Sequence, residues 1–128
     1  MKKLLSVLAA AVLGCTALCT PAMAEETEEP VYQLGDVDMD GRITAQDAQL
    51  TLMYYAMSLA HLDTSQFLTE QQVQLANILG GSTESPVDAQ DALAIMVYYV
   101  CYVMQHPDGE MTIMDYLREK YPGIELTA

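Results

Sequence analysis

The chain has 128 residues, room for one small domain, with five Lys and Arg against eighteen Asp and Glu and a formal net charge of −13 at pH 7. Such a surface makes nucleic acid a poor partner, because phosphate binding needs clustered Lys or Arg. No Ser/His/Asp set, phosphate loop or pair of catalytic carboxylates in an apolar pattern can be assembled, so the chain reads as a protein without enzymatic activity.

Met1-Lys2-Lys3 supplies a positive start, residues 4–19 an uncharged apolar run, and Ala22 and Ala24 small residues at −3 and −1. Residues 1–24 therefore read as a secretory signal cleaved before Glu25. The apolar run is short for a membrane span, and none is expected in the mature chain. Val12-Leu13-Gly14-Cys15 offers lipoprotein cleavage as an alternative, with Leu13 bulky two places before the cysteine. Ordinary cleavage removes two of the five basic residues and none of the acids, and it leaves Cys101 alone, so no intrachain disulfide can form. A small secreted domain without disulfides needs another staple, and metal is the evident one.

Residues 25–30, Glu-Glu-Thr-Glu-Glu-Pro, form a short acidic tether too polar to fold. Residues 31–35 lead straight into a twelve-residue loop that runs from Asp36 to Asp47. Asp36, Asp38, Asp40 and Asp47 stand at loop positions 1, 3, 5 and 12, and Gly41 stands at position 6. Calcium takes six to eight hard oxygens at about 2.3–2.6 Å, and this spacing supplies them, with Gly41 permitting the sharp turn. Arg42 would add its backbone carbonyl, Thr44 a water or its hydroxyl, and Asp47 would close the sphere from the following helix. An acidic solvated loop with an Asp-Gly turn is the plain alternative. Four correctly spaced acids followed at once by a helical pattern favour calcium.

The exiting helix is predicted over residues 45–61, with Thr44 as N-cap and Asp47 at N3. Ala48, Leu52, Tyr55 and Leu59 form one stripe, Gln46, Gln49, Met53 and Met57 another, and Leu50 and Tyr54 lie between them. A helix so apolar around its circumference calls for two partners. A short helix follows over residues 68–76, with Thr69 and Gln72 at capping-box spacing. After Gly80-Gly81, the run Ala45-Gln46-Asp47-Ala48 recurs as Ala89-Gln90-Asp91-Ala92, and Tyr54-Tyr55 as Tyr98-Tyr99, both at an offset of 44. This is an internal duplication of a loop–helix unit. The apolar run of residues 92–104 is too short for the roughly 20 residues a bilayer span needs. Residues 111–121 predict a last amphipathic helix, ended by Pro122-Gly123.

The run Gly35-Asp36-Val37-Asp38-Met39-Asp40-Gly41, the loop with only an exiting helix, the Asp-Ala start of each helix and the paired tyrosines resemble a dockerin domain over residues 32–104. The resemblance implies an all-α fold of two calcium-loop–helix repeats, with a short intervening helix and a C-terminal helix. It divides the chain into a signal (1–24), a tether (25–30), a dockerin-like domain (31–106) and a C-terminal helix and tail (107–128). It also implies a secreted adaptor that binds a cohesin module of a scaffoldin or cell-surface protein in a polysaccharide-degrading complex. The alternative is a secreted calcium-binding protein without a cohesin partner.

The second repeat departs from the family pattern. Aligned without a gap, Gly80, Ser82 and Glu84 take positions 1, 3 and 5; aligned from Asn77, the loop is about three residues longer and ends at Asp91. Either way the Asp-x-Asp-x-Asp-Gly core is missing, with Gly81 or Ser85 left to make the turn, so calcium affinity should be weak or nil. Asp88 and Asp91 can equally serve as N-cap and N3 of a helix. The metal candidates are thus Asp36, Asp38, Asp40, Arg42 and Asp47, with Asn77 and Asp91 in the second loop. Carried over from the family, the partner face is Ala45, Gln46, Met53 and Met57, with Ala89, Gln90, Val97 and Cys101 as symmetry mates. Cys101 is expected to be a buried small hydrophobe, since no basic neighbour would activate it, and His61 and His106 to be surface residues.

Overall fold

The computed structural model describes residues 30–80, 86–124 and 126. The expected signal, the lipoprotein motif, nearly all of the acidic tether and residues 81–85 lie outside the described residues. Four α-helices and no strand are present among those described: α1 (Ala45–Leu59), α2 (Glu70–Ala76), α3 (Ala89–Tyr98) and α4 (Ile113–Lys120). The fold is all-α. None of the described helices is long and apolar enough to cross a membrane.

Each helix starts where a side chain takes up the orphan N–H groups of its first turn. Thr44 with Asp47, Thr69 with Gln72, and Asp88 with Asp91 form three capping boxes, and Thr112 caps α4 through the N–H of Asp115. α3 runs on as a π-helical segment, Tyr99–Val103, closed by the N–H of Met104 donating to the carbonyl of Tyr99 five residues back (2.9 Å).

The core is one cluster that both loops and all four helices feed. Val37 and Ile43 come from the first loop and Ile78 and Val87 from the second; Ala48, Ala76, Ile95, Tyr98, Ile113, Tyr116 and Leu117 come from the helices. α1 and α3 form the main helix pair. The expected C-terminal helix is part of this core. Its Tyr116 ring meets Tyr98 edge-on (centroids 5.6 Å apart), and Tyr98 donates its hydroxyl to the Met111 carbonyl (2.6 Å).

One stripe of α1 is split by burial, and one reading needs correction. Leu52 and Leu59 are exposed, at 49% and 63%, although they share a stripe with buried Ala48. The buried residues of α1 are Asp47, Ala48 and Thr51, with Leu50 and Tyr54 packed partly on the core. Thr51 can be buried because its hydroxyl donates to the Asp47 carbonyl (2.8 Å). Cys101 is exposed, not a buried hydrophobe. It lies within the π-helical segment, whose wider turn shifts the residues after Tyr98 out of phase with the buried face of α3. His61 and His106 are exposed as expected, with His106 stacked on Tyr102 (centroids 4.9 Å).

Candidate metal centre and exposed helix faces

The first loop folds around Asp36, whose side chain is fully buried although the loop tip is exposed. Its Oδ1 accepts from the N–H of Asp40 (3.2 Å) and its Oδ2 from that of Gly41 (3.0 Å), so one carboxylate folds positions 5 and 6 back over position 1. Gly41 takes φ 87° and Met39 φ 63°, and these two left-handed residues alternate with Asp38 and Asp40 along the turn. Asp36, Asp38 and Asp40 each offer an oxygen within 4.8 Å of the others. Two ligands of one calcium ion stand at most about 5 Å apart, twice the metal–oxygen distance. The trio could therefore hold a metal ion.

The electrostatics favour a cation. Burial raises the pKa of Asp36 above the ordinary carboxylate range, with neighbouring Asp47 and Asp40 adding to the rise against the hydrogen bonds from Gly41 and Asp40. Burial and then Asp47 raise Asp38 likewise. The ion pairs among the described residues, Arg118–Asp115 and Lys120–Glu119, both lie on α4. Neither brings a cation to the loop.

Asp47 stands outside the trio and straps the loop to α1. Its Oδ1 accepts from the N–H groups of Val37 (2.7 Å) and Asp38 (3.1 Å), and its Oδ2 from that of Thr44 (2.7 Å). Arg42 is exposed and donates its N–H to Asp40 Oδ1 (2.8 Å). The Thr44 hydroxyl serves the helix end, accepting from the Gln46 N–H (3.1 Å).

The same strap recurs in the second loop. Oδ1 of Asp91 accepts from the N–H groups of Ile78 and Leu79, and Oδ2 from that of Asp88, all at 2.8 Å. Burial raises the Asp91 pKa, opposed by these three N–H groups. Matching the straps puts Asn77 where Asp36 stands and Leu79 where Asp38 stands. The alignment that begins at Asn77 is the one this geometry follows. Asn77 accepts from the Gly80 N–H (2.9 Å), and Gly80 takes φ 74°. The Leu79 side chain has no donor atom for a metal; instead it lines an apolar groove between α3 and α4 with Leu93, Val97, Leu117 and Ile124. Gly81, Ser82, Glu84 and Ser85 lie outside the described residues.

The expected partner residues divide. Gln46, Met53, Ala89, Gln90 and Cys101 are exposed, and Met53 is 52% so. Ala45, Met57 and Val97 are half-buried, and Val97 packs on the core. The Gln46 amide is also tied to the metal candidates, donating to Asp38 Oδ2 (2.8 Å). Sequence reasoning missed Leu52 and Leu93 as surface residues. Leu93 is 62% exposed, and together they line a groove of about 390 Å³ between α1 and α3, floored by Ala48, Ala92 and Met96. For Leu93 a signal was present in the 44-residue offset, which sets it on Gln49, three residues after the expected partner residue Gln46; the offset sets Leu52 on Met96 and marks nothing there.

No protein-family model matches the sequence, and no curated protein matches it.

Proposed function

We propose that this chain is a secreted, non-enzymatic, calcium-dependent adaptor of dockerin type, which binds a cohesin module of a scaffoldin or cell-surface protein. The observation that carries the reading is the loop of Asp36, Asp38 and Asp40: three oxygens within reach of one ion, folded by backbone N–H groups and, among the described residues, without an ion pair to a basic side chain. Asp36, Asp38 and Asp40 would hold the calcium, whose charge offsets the mutual repulsion of the loop acids. The recurrence of the Asp47 strap at Asp91 supports descent of the two loops from one unit.

The paired helices supply the partner surface of this reading. Gln46, Leu52 and Met53 on α1, with Gln90 and Leu93 on α3, present adaptable apolar side chains beside amides. A calcium-binding protein without a partner gives no reason for Leu52, Met53 and Leu93 to face water together.

A pull-down with immobilised cohesin modules, run with calcium and with a chelator, tests the reading. Retention in calcium and release by chelator are expected. If no cohesin retains the calcium-loaded protein, the partner half fails; if calorimetry finds no calcium bound, the whole reading fails.

A further inference from the structure

The back of the first loop is apolar, and α4 sits on it. A β-carbon built on Gly35 would stand 3.1 Å from Cδ1 of Ile43 and 3.4 Å from Cδ1 of Ile113. Gly35 is the residue before the first loop acid, Ile43 stands at loop position 8, and Ile113 is the first residue of α4. Ile43 and Ile113 are both buried, at 3% and 1% exposure. The approach of α4 is fixed on its other side by tyrosines. Tyr98 donates to the Met111 carbonyl, and the Met111 N–H donates to the Tyr102 hydroxyl (3.0 Å). Residues Gly109, Glu110 and Met111 share a cleft with Gly41, Arg42, Ile43 and Thr44.

We propose that α4 docking and cation capture by the first loop are coupled, each strengthening the other, through the contact of Ile113 with Gly35 and Ile43. This rests on the calcium reading given above. When Asp36, Asp38 and Asp40 close on a cation, the positions of Gly35 before them and Ile43 after them become fixed. Those two residues form the surface on which Ile113 rests. A loop that samples other shapes offers Ile113 no fixed seat, so α4 would open more often. Linkage makes the effect reciprocal: whatever factor the ion adds to α4 docking, docked α4 adds to ion affinity. The C-terminal helix is thus a reporter and a determinant of loop occupancy, although it contributes no ligand.

Amide hydrogen exchange on the intact protein, with and without calcium, tests this. The N–H groups of Tyr116 and Tyr121, which close the ends of α4, should exchange about fivefold or more slowly with calcium, the lower range for coupled sites. This slowing should track the loop amides of Asp40 and Gly41 and exceed that in α3. Ile113→Ala should weaken calcium binding in calorimetry by a similar factor, although no ligand is touched. Should Ile113→Ala fail to fold, the wild-type exchange measurement decides alone. Calcium binding by the wild type with α4 exchange unchanged, or slowed only as much as α3, overturns the coupling and leaves the calcium reading standing. No calcium binding by the wild type overturns both.

Discussion

The two loops solve the same backbone problem and differ in what they place inside. Asp47 and Asp91 each gather three backbone N–H groups and start a helix, so each loop is strapped to its helix by one buried carboxylate. Where the first loop then aims Asp38 at Asp36, the second aims Leu79 into the α3–α4 groove. One loop gathers charge that needs an ion, and the other buries a hydrocarbon that needs none. The strap is therefore separable from the metal site, and only the first loop should need an ion of its own.

The largest expected effect breaks the molecule along that line. Chelation should strip much of the helix signal seen by circular dichroism and calcium should restore it, because the loop acids repel one another without the ion. Asp36→Ala should hold the protein in the chelated state at any calcium level. Calorimetry should count one tight calcium and at most one weak one. Two equal sites would show that the second loop also assembles a ligand set around Asn77.

A second test strikes the strap that needs no ion. Asp91→Ala removes the acceptor of the N–H groups of Ile78, Leu79 and Asp88; the Ile78 bond is buried and the other two are partly so, and losing the acceptor of a buried donor costs about 1–3 kcal/mol. A loss of about 1–3 kcal/mol is expected in urea unfolding of the calcium-loaded protein, and added calcium should not recover it. A loss that calcium rescues would mean that Asp91 is a ligand after all.

The helix faces give the third contrast. Met53→Glu on α1 should abolish cohesin binding and leave calcium-induced folding intact, since the residue is half exposed. A carboxylate buried unpaired in an interface costs about 3–5 kcal/mol, and on a solvated face little. Leu93→Glu is the matching change on α3, because it is exposed where Val97 packs on the core. Loss of binding only in the double variant would mean that the two helices offer interchangeable faces; the unlike surroundings of the two loops predict that one face dominates.

What could be read from sequence was whatever chemistry is local. Thr44, Thr69 and Asp88 were legible as caps because a cap depends on residues two or three places away, and the acid spacing of the first loop is equally local. The second loop kept two registers open because its length changed, and only the bonds to Asp91 choose Asn77. Burial was less legible. Periodicity marks a stripe but not its neighbour: Ala48 and Leu52 share one, yet Ala48 is buried and Leu52 is exposed. Cys101 was misread for a related reason: the π-helical turn that exposes it forms where Tyr102, stacked on Tyr98 of the preceding turn, tilts against Tyr116 of α4, a contact made across the fold.

The smallest expected effect separates Gly35, just before the first loop, from Gly41 within it. Both have positive φ, 96° at Gly35 and 87° at Gly41, so alanine at either site meets backbone strain of about 1–2 kcal/mol. At Gly41 nothing stands within 4 Å of an added β-carbon, so strain is the whole cost. At Gly35 the added methyl must also displace the Ile43 side chain at 3.1 Å and crowd that of Ile113 at 3.4 Å. Overpacking of this kind adds about 1–3 kcal/mol. Gly35→Ala should therefore be the more destabilising in thermal unfolding, and Gly41→Ala should stay near 1 kcal/mol. Equal losses would mean that the Ile43 and Ile113 methyls yield freely and that the apolar back of the loop is looser than its contacts imply.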